Sequence, residues 1–238
     1  MKNIPIHFFT FLMVVLGLSS CRNDGATPIR NIKAGPTLLR AQAGGGSCEN
    51  HTYFYNNEQK NLGSVFTKQV LVVFASGLSA GEEAAAVAAY GFVQGKNGQV
   101  GSNSAILHNI ELVDGLNCKQ VEKAIELLAA DPAITYVAPY FMNGDGLLGI
   151  SNEAIVTVQE GGEDALDAYA AEYGAEVLMP LSGQTYLVRV DKHSSGNALE
   201  LANFLKSKAG VAHAEPDFIV SAEVPVAGEK RGGGNASR

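Results

Sequence analysis

Apolar positions between residues 66 and 222 alternate at two periods, and the same succession of periods occurs twice. In the first half, QVLVVF (69–74) is a β-branched run of strand length. SGLSAGEEAAAVAAYGF follows, with Ser79 and Glu82 spaced as a capping box ahead of an Ala-rich helix. A Gly/Asn-rich stretch (94–104) reads as a loop, and AILHNIEL (105–112) as a strand. Asn117 and Gln120 open a second helix, in which Val121, Ala124, Ile125 and Leu128 recur at helical spacing up to Pro132. ITYVAPYF (134–141) closes the half.

The second half repeats the order. EAIVTV (153–158) predicts a strand and GEDALDAYAAEYG a helix stopped by Gly174. AEVLMP and QTYLVRVD predict a hairpin turning at Leu181-Ser182-Gly183. Ser195 is the expected cap of the helix NALELANFLKSKAG, and VAHAEPDF (211–218) closes the half as ITYVAPYF closes the first. Two rounds of strand, helix, strand, strand, helix, strand predict an α+β protein of two tandem ferredoxin-like (βαββαβ) units, each an antiparallel sheet with two helices on one face. The expected bounds are 66–148 and 149–222. Proline cannot donate to a sheet ladder, so Pro139 and Pro216 are expected in edge strands.

Outside the repeats the pattern changes. Residues 4–18 are almost wholly apolar, too short for a comfortable membrane span but suited to a secretory signal. Leu18-Ser19-Ser20-Cys21 then resembles a bacterial lipobox, with Cys21 as the lipidated residue. The expectation is a signal peptide over 1–20 and a lipid anchor to the cell envelope. Arg22 favours the outer membrane, and a lone nearby acid, Asp24, favours its periplasmic face over the cell surface. Residues 21–65, with Gly44-Gly45-Gly46 at their centre, read as a flexible tether, and 223–238 as a disordered tail.

Removal of residues 1–20 leaves 16 basic residues against 24 acidic ones. An acidic chain with no basic cluster is a poor nucleic-acid partner. Cys48 and Cys118 have a partner in each other in an oxidising compartment, though the sequence leaves their pairing open. Two cysteines and five scattered histidines are too few for a metal site, and no cofactor motif occurs.

Gly210-Val211-Ala212-His213-Ala214-Glu215-Pro216-Asp217, together with VLVVFASGLSAGE (70–82) and the hairpin, resembles the propeptide of subtilisin-like serine proteases, here duplicated. The first copy, Ala133 to Tyr140, keeps the apolar frame and the proline but lacks both acids. The resemblance implies a folding chaperone and inhibitor rather than a catalyst. It also implies that the segment after the last strand, Ile219-Val220-Ser221-Ala222-Glu223-Val224, lies extended and unpaired in a protease cleft. Glu215, Pro216, Asp217 and Phe218 would contact the enzyme beside it; the same acids could equally solvate an edge strand. No Asp-Thr-Gly, His-Gly-Thr or Gly-Thr-Ser-Met stretch is present, so the protease domain itself is missing. Gly101-Ser102-Asn103-Ser104 is the nearest serine cluster, and His108 and His213 read as core or edge histidines. The remaining alternative is a ligand-binding or scaffold lipoprotein that kept the fold without protease binding.

Overall fold

The computed structural model describes Cys48 and residues 50–56, 58–144 and 146–221. Two blocks follow a short N-terminal hairpin. The hairpin is β1 (Thr52–Tyr55) and β2 (Glu58–Asn61). The first block is β3 (Ser64–Phe74), α1 (Ala80–Ala88), β4 (Val93–Gly101), β5 (Ile106–Leu112), α2 (Cys118–Ala129) and β6 (Ile134–Asn143). The second is β7 (Gly146–Val158), α3 (Glu163–Tyr173), β8 (Glu176–Ser182), β9 (Thr185–Arg189), α4 (Ala198–Lys206) and β10 (Val211–Ser221). The fold is α+β and its sheets are antiparallel.

In both blocks the first strand lies between the third and the fourth: β4-β5-β3-β6 and β8-β9-β7-β10. The blocks do not form two separate sheets, as the sequence pattern predicts, but one of eight strands. The difference comes from β7. Its leading residues, Gly146–Gly149, pair with Asn143–Tyr140 of β6, and Glu153–Thr157 pair with Arg189–Thr185 of β9. β10 runs along the other side from Val158 to Leu147. The Leu-Leu-Gly-Ile run before Ser151, which the sequence pattern assigns to no strand, is therefore strand. Gly149 makes the junction possible, since a Cβ there would lie 2.6 Å from both Leu71 Cδ1 and Tyr140 Cε1.

Local chemistry explains most element ends. Side chains of Ser79 and Asn117 cap α1 and α2 with reciprocal bonds from Glu82 and Gln120, and Gly174 ends α3 at φ +75°. α4 is capped by Asn197 rather than by the expected Ser195. Ser195 instead donates its backbone N–H to Tyr173 O at 2.9 Å. Asn is as good an N-cap as Ser, and Asn197 lies three residues ahead of Glu200, which completes the box. The expected loop 94–104 is largely β4, whose alternation is disguised by register shifts at Gly95 and between Lys96 and Gln99. Pro216 sits in the outer strand, as expected. Pro139 does not, because β6 lies between β3 and β7. Its ladder to β7 begins only at Tyr140, one residue later.

The tether expected over 21–65 is structured in its last part. Cys48 is disulfide-bonded to Cys118 with Cα atoms 5.9 Å apart. His51 stacks on Phe141 at 4.9 Å, while β1 lies against the second block through Tyr53 on Phe218 (5.0 Å) and Asn203 Nδ2 donating to Thr52 O (2.9 Å). Leu62 is fully buried, and Gly63 turns the chain into β3 where a Cβ would strike Met142 O at 1.9 Å. Tyr53 and Phe54, both part-buried, drive this packing, since an aromatic ring buries a large apolar area. Cys48 and residues 50–56 and 58–62 thus form a strap that touches both blocks.

The bridge closes a loop with a sequence separation of 70. Chain-entropy reasoning gives about 4 kcal/mol for a loop of that length. Urea denaturation of the Cys48→Ala variant should show a loss of that order without a change in far-ultraviolet circular dichroism before the transition. A midpoint equal to that of the parent protein would mean that the strap is held by packing alone.

Candidate functional site

The sequence-predicted contact residues fall along β10. Glu215 faces Ile155, Pro216 is buried opposite Ala154, and Phe218 faces Ile150 under the Tyr53 ring. Ile219, Val220 and Ser221 pair with Gly149, Leu148 and Leu147. The expectation that the segment from Ile219 is unpaired is thus corrected, because the extended start of β7 supplies its ladder. Cys21, Ala222, Glu223 and Val224 lie outside the described residues. Val220 is 73% exposed despite its pairing. His213 Nε2 lies 3.3 Å from Glu215 Oε2. The Asp217 carboxyl titrates above its usual range, chiefly through burial and further through Glu153 and Glu215, against a hydrogen bond with Ser151.

Alternation along the second block divides its sheet into two faces. Ala154, Val156, Val158, Val188 and Ala214 are buried, with α4 packed on β7 and β10. The other parity carries Glu215, Ile155, Leu187 and Met179 in one cross-strand row. Thr157 and Thr185 form the next row and share a hydrogen bond of 3.0 Å. Met179 and Leu181 are 43% and 44% exposed. Sequence reading placed this hairpin but gave no sign that its outer face would be apolar.

A third feature went unrecognised in the sequence. Between the two ladders of β7, residues Ser151, Asn152 and Glu153 stand opposite the single residue Asp217, and all three are buried. Glu153 has no solvent exposure. Its carboxylate is met by the β4–β5 loop of the first block: Ser104 N and Oγ donate to Oε1 at 2.6 and 2.5 Å, and Ser102 Oγ at 3.0 Å. Asn103 donates to Oε2 through its backbone N (3.2 Å) and its Nδ2 (3.1 Å). Asn152 completes the cluster, its Nδ2 donating to Ser104 Oγ at 3.0 Å. Burial alone would raise the Glu153 pKa, but the bonds from Ser104, Asn103 and Ser102 outweigh it and hold the carboxyl below its usual range. The serine cluster singled out by sequence is therefore an anion cradle filled by the chain's own carboxylate.

Beside this clamp lies a cleft of about 640 Å³, lined from the first block by the end of β3, the β4–β5 loop and His108, and from the second by Asn152 and Arg189–Asp191. His108 is 6% exposed and its ring meets Phe74 at 5.1 Å. Its Nε2 lies 3.9 Å from Glu83 Oε1, beyond hydrogen-bond reach, while Lys96 binds Glu83 Oε2 at 2.5 Å. Burial, and then Lys96, depress the His108 pKa against the pull of Glu83, so the ring is neutral at neutral pH. Ser102 and Ser104 give their hydroxyl protons to acceptors in the clamp, and no serine–histidine hydrogen bond forms among the described residues. Nor do three His, Cys, Asp or Glu side chains converge as a metal site requires, among the described residues.

Removing the Glu153 charge should cost stability in a pH-dependent way. Replacing the carboxylate by an amide leaves neutral donors of the loop without their charged acceptor, a loss of about 1–3 kcal/mol. Because the folded carboxyl titrates below its unfolded value, its contribution is complete above the unfolded pKa and vanishes as pH falls through the folded one. The stability difference between parent and Glu153→Gln, followed by urea titration, should be largest at neutral pH and shrink on acidification below the carboxylate range. A difference independent of pH would show that the carboxylate charge is not what the loop recognises.

No protein-family model matches the chain, and no curated protein is significantly similar to it.

Proposed function

We propose that this chain is a non-catalytic lipoprotein of the cell envelope, anchored through Cys21, that binds a secreted subtilisin-like serine protease and inhibits it or assists its folding. In this reading each block is a ferredoxin-like unit descended from one propeptide-like ancestor. The first-strand-central order of both blocks and the matched Pro-x-Phe endings support that descent. The observation that carries the binding function is the outer sheet face of the second block, where Met179 and Leu181 stand exposed beside buried Leu187. An apolar sheet face bordered by Glu215 and His213 is suited to burial against a partner, with the border groups fixing orientation. Pairing of Ile219–Ser221 to β7 shifts the cleft-binding role onto the chain from residue 222 onward, which leaves the end of a fixed strand.

The cleft beside Glu153 favours a second reading, a ligand-binding lipoprotein that uses the junction between the blocks rather than the outer face.

Inhibition assays on secreted subtilisin-like proteases of the source cell separate these readings. The full chain in detergent should inhibit or stably bind at least one of them. The double variant Met179→Asp, Leu181→Asp should weaken this at least tenfold, about 1.4 kcal/mol, while keeping its circular dichroism. Deletion of residues 222–238 should abolish inhibition but leave part of the binding. Fatty-acid labelling in cells should be lost in Cys21→Ala. Absence of inhibition and binding across those proteases removes the protease reading and leaves the second.

A further inference from the structure

We propose that the cleft between the blocks is a binding site for a neutral polyhydroxylated ligand, of the size of a mono- or disaccharide, held between His108 and Glu83. This site is separate from the outer sheet face and stands whether or not that face binds a protease.

The volume, about 640 Å³, lies within the range of small-molecule sites. The choice of ligand follows from what the lining has already spent. Glu83 is neutralised on one oxygen by Lys96, and Arg189 by Glu176. Asp191 accepts from the His193 backbone N–H at 2.8 Å. Asp191 keeps its charge in the exposed part of the wall, but at the gap between His108 and Glu83 the Lys96 ammonium balances the carboxylate, so neither a free anion nor a free cation gains a lone counter-charge there. The unmet hydrogen-bonding capacity is neutral. His108 is nine-tenths buried in the cleft wall; its Nδ1 is sealed from solvent, and its Nε2 stops 3.9 Å short of Glu83 Oε1.

One chemical group fits that gap. A hydroxyl accepts one hydrogen bond and donates another, so it can take the proton offered by neutral imidazole and give its own to the carboxylate. The Glu83 carboxylate facing Nε2 assigns the ring proton to that nitrogen, so an ammonium, which cannot accept, is refused by the ring, and a carboxylate cannot donate to Glu83. Further hydroxyls on the same molecule reach Asn152 and the serine-rich loop, while Ile106, 53% exposed at the rim, and Phe74 supply apolar surface for its C–H faces. The walls come from both blocks, so the Glu153 clamp fixes the distance between them.

The test is a nuclear magnetic resonance titration of the full chain, labelled in its histidine rings and held in micelles of a detergent without a sugar head group. Glucose, N-acetylglucosamine, maltose and cellobiose are added to millimolar concentration, with acetate and ethanolamine as charged comparisons. At least one sugar should shift the His108 ring signals saturably, and neither charged compound should. Glu83→Gln should weaken that sugar at least tenfold, because the carboxylate acceptor is replaced by a weaker amide. His108→Phe should abolish binding, and Glu83→Gln keeps the test decisive if that variant unfolds. No saturable shift of His108 with any of the sugars, or an equal shift with acetate, overturns the proposal.

Discussion

The Glu153 carboxylate is the constraint on which the relation between the two blocks depends. It is buried without a counter-ion among the described residues and is held by neutral donors of one loop, Ser102, Asn103 and Ser104, some fifty residues away in sequence. A lone buried carboxylate is costly unless hydrogen bonds replace its hydration. Here that cost binds the loop to the strand, because neither side can separate without leaving the carboxylate or its donors unmet. The residues around it have the same logic. Tyr136 donates its hydroxyl to Ser151 O at 2.5 Å, and Val190 donates its N–H to Asn152 O at 2.9 Å, so the backbone of the irregular segment is satisfied as well.

Much of the fold was legible because local signals agreed with the global arrangement. The strand–helix order, the capping pairs Ser79/Glu82 and Asn117/Gln120, the stop at Gly174 and the outer position of Pro216 all appear where pattern and chemistry put them. What the sequence concealed depends on contacts distant along the chain. β7 reads as a strand beginning at Glu153 because Ser151-Asn152-Glu153 interrupts its apolar run. Loop 102–105 makes Asn152 and Glu153 acceptable inside a sheet, while Ser151 Oγ accepts from the Glu153 backbone N–H. The strap reads as tether because its composition is largely polar outside Tyr53, Phe54 and Tyr55. Its order rests on Cys118, Phe141 and Phe218, none of them a neighbour in sequence.

The candidate site divides in the same way. Sequence reading reached β10 and its acidic ending but took the chain after Phe218 to be free, since nothing local announces that Leu147–Gly149 will pair with it. The outer face at Ile155, Leu187 and Met179 needs cross-strand register before it can be seen as one surface. The cleft at His108 needs both blocks. The junction of the two blocks thus carries a clamp, a shared strand and a cavity that neither block possesses alone.

The junction, not the individual block, is then the unit of stability. Native-state hydrogen exchange on the backbone amides of Ile110 in the first block and Val156 in the second measures it most directly. If one sheet and one clamp bind the blocks, both amides exchange through the same opening, with equal free energies that fall in parallel as denaturant rises. Exchange of Val156 through a cheaper opening, while Ile110 stays protected, would contradict it and leave two blocks folding side by side.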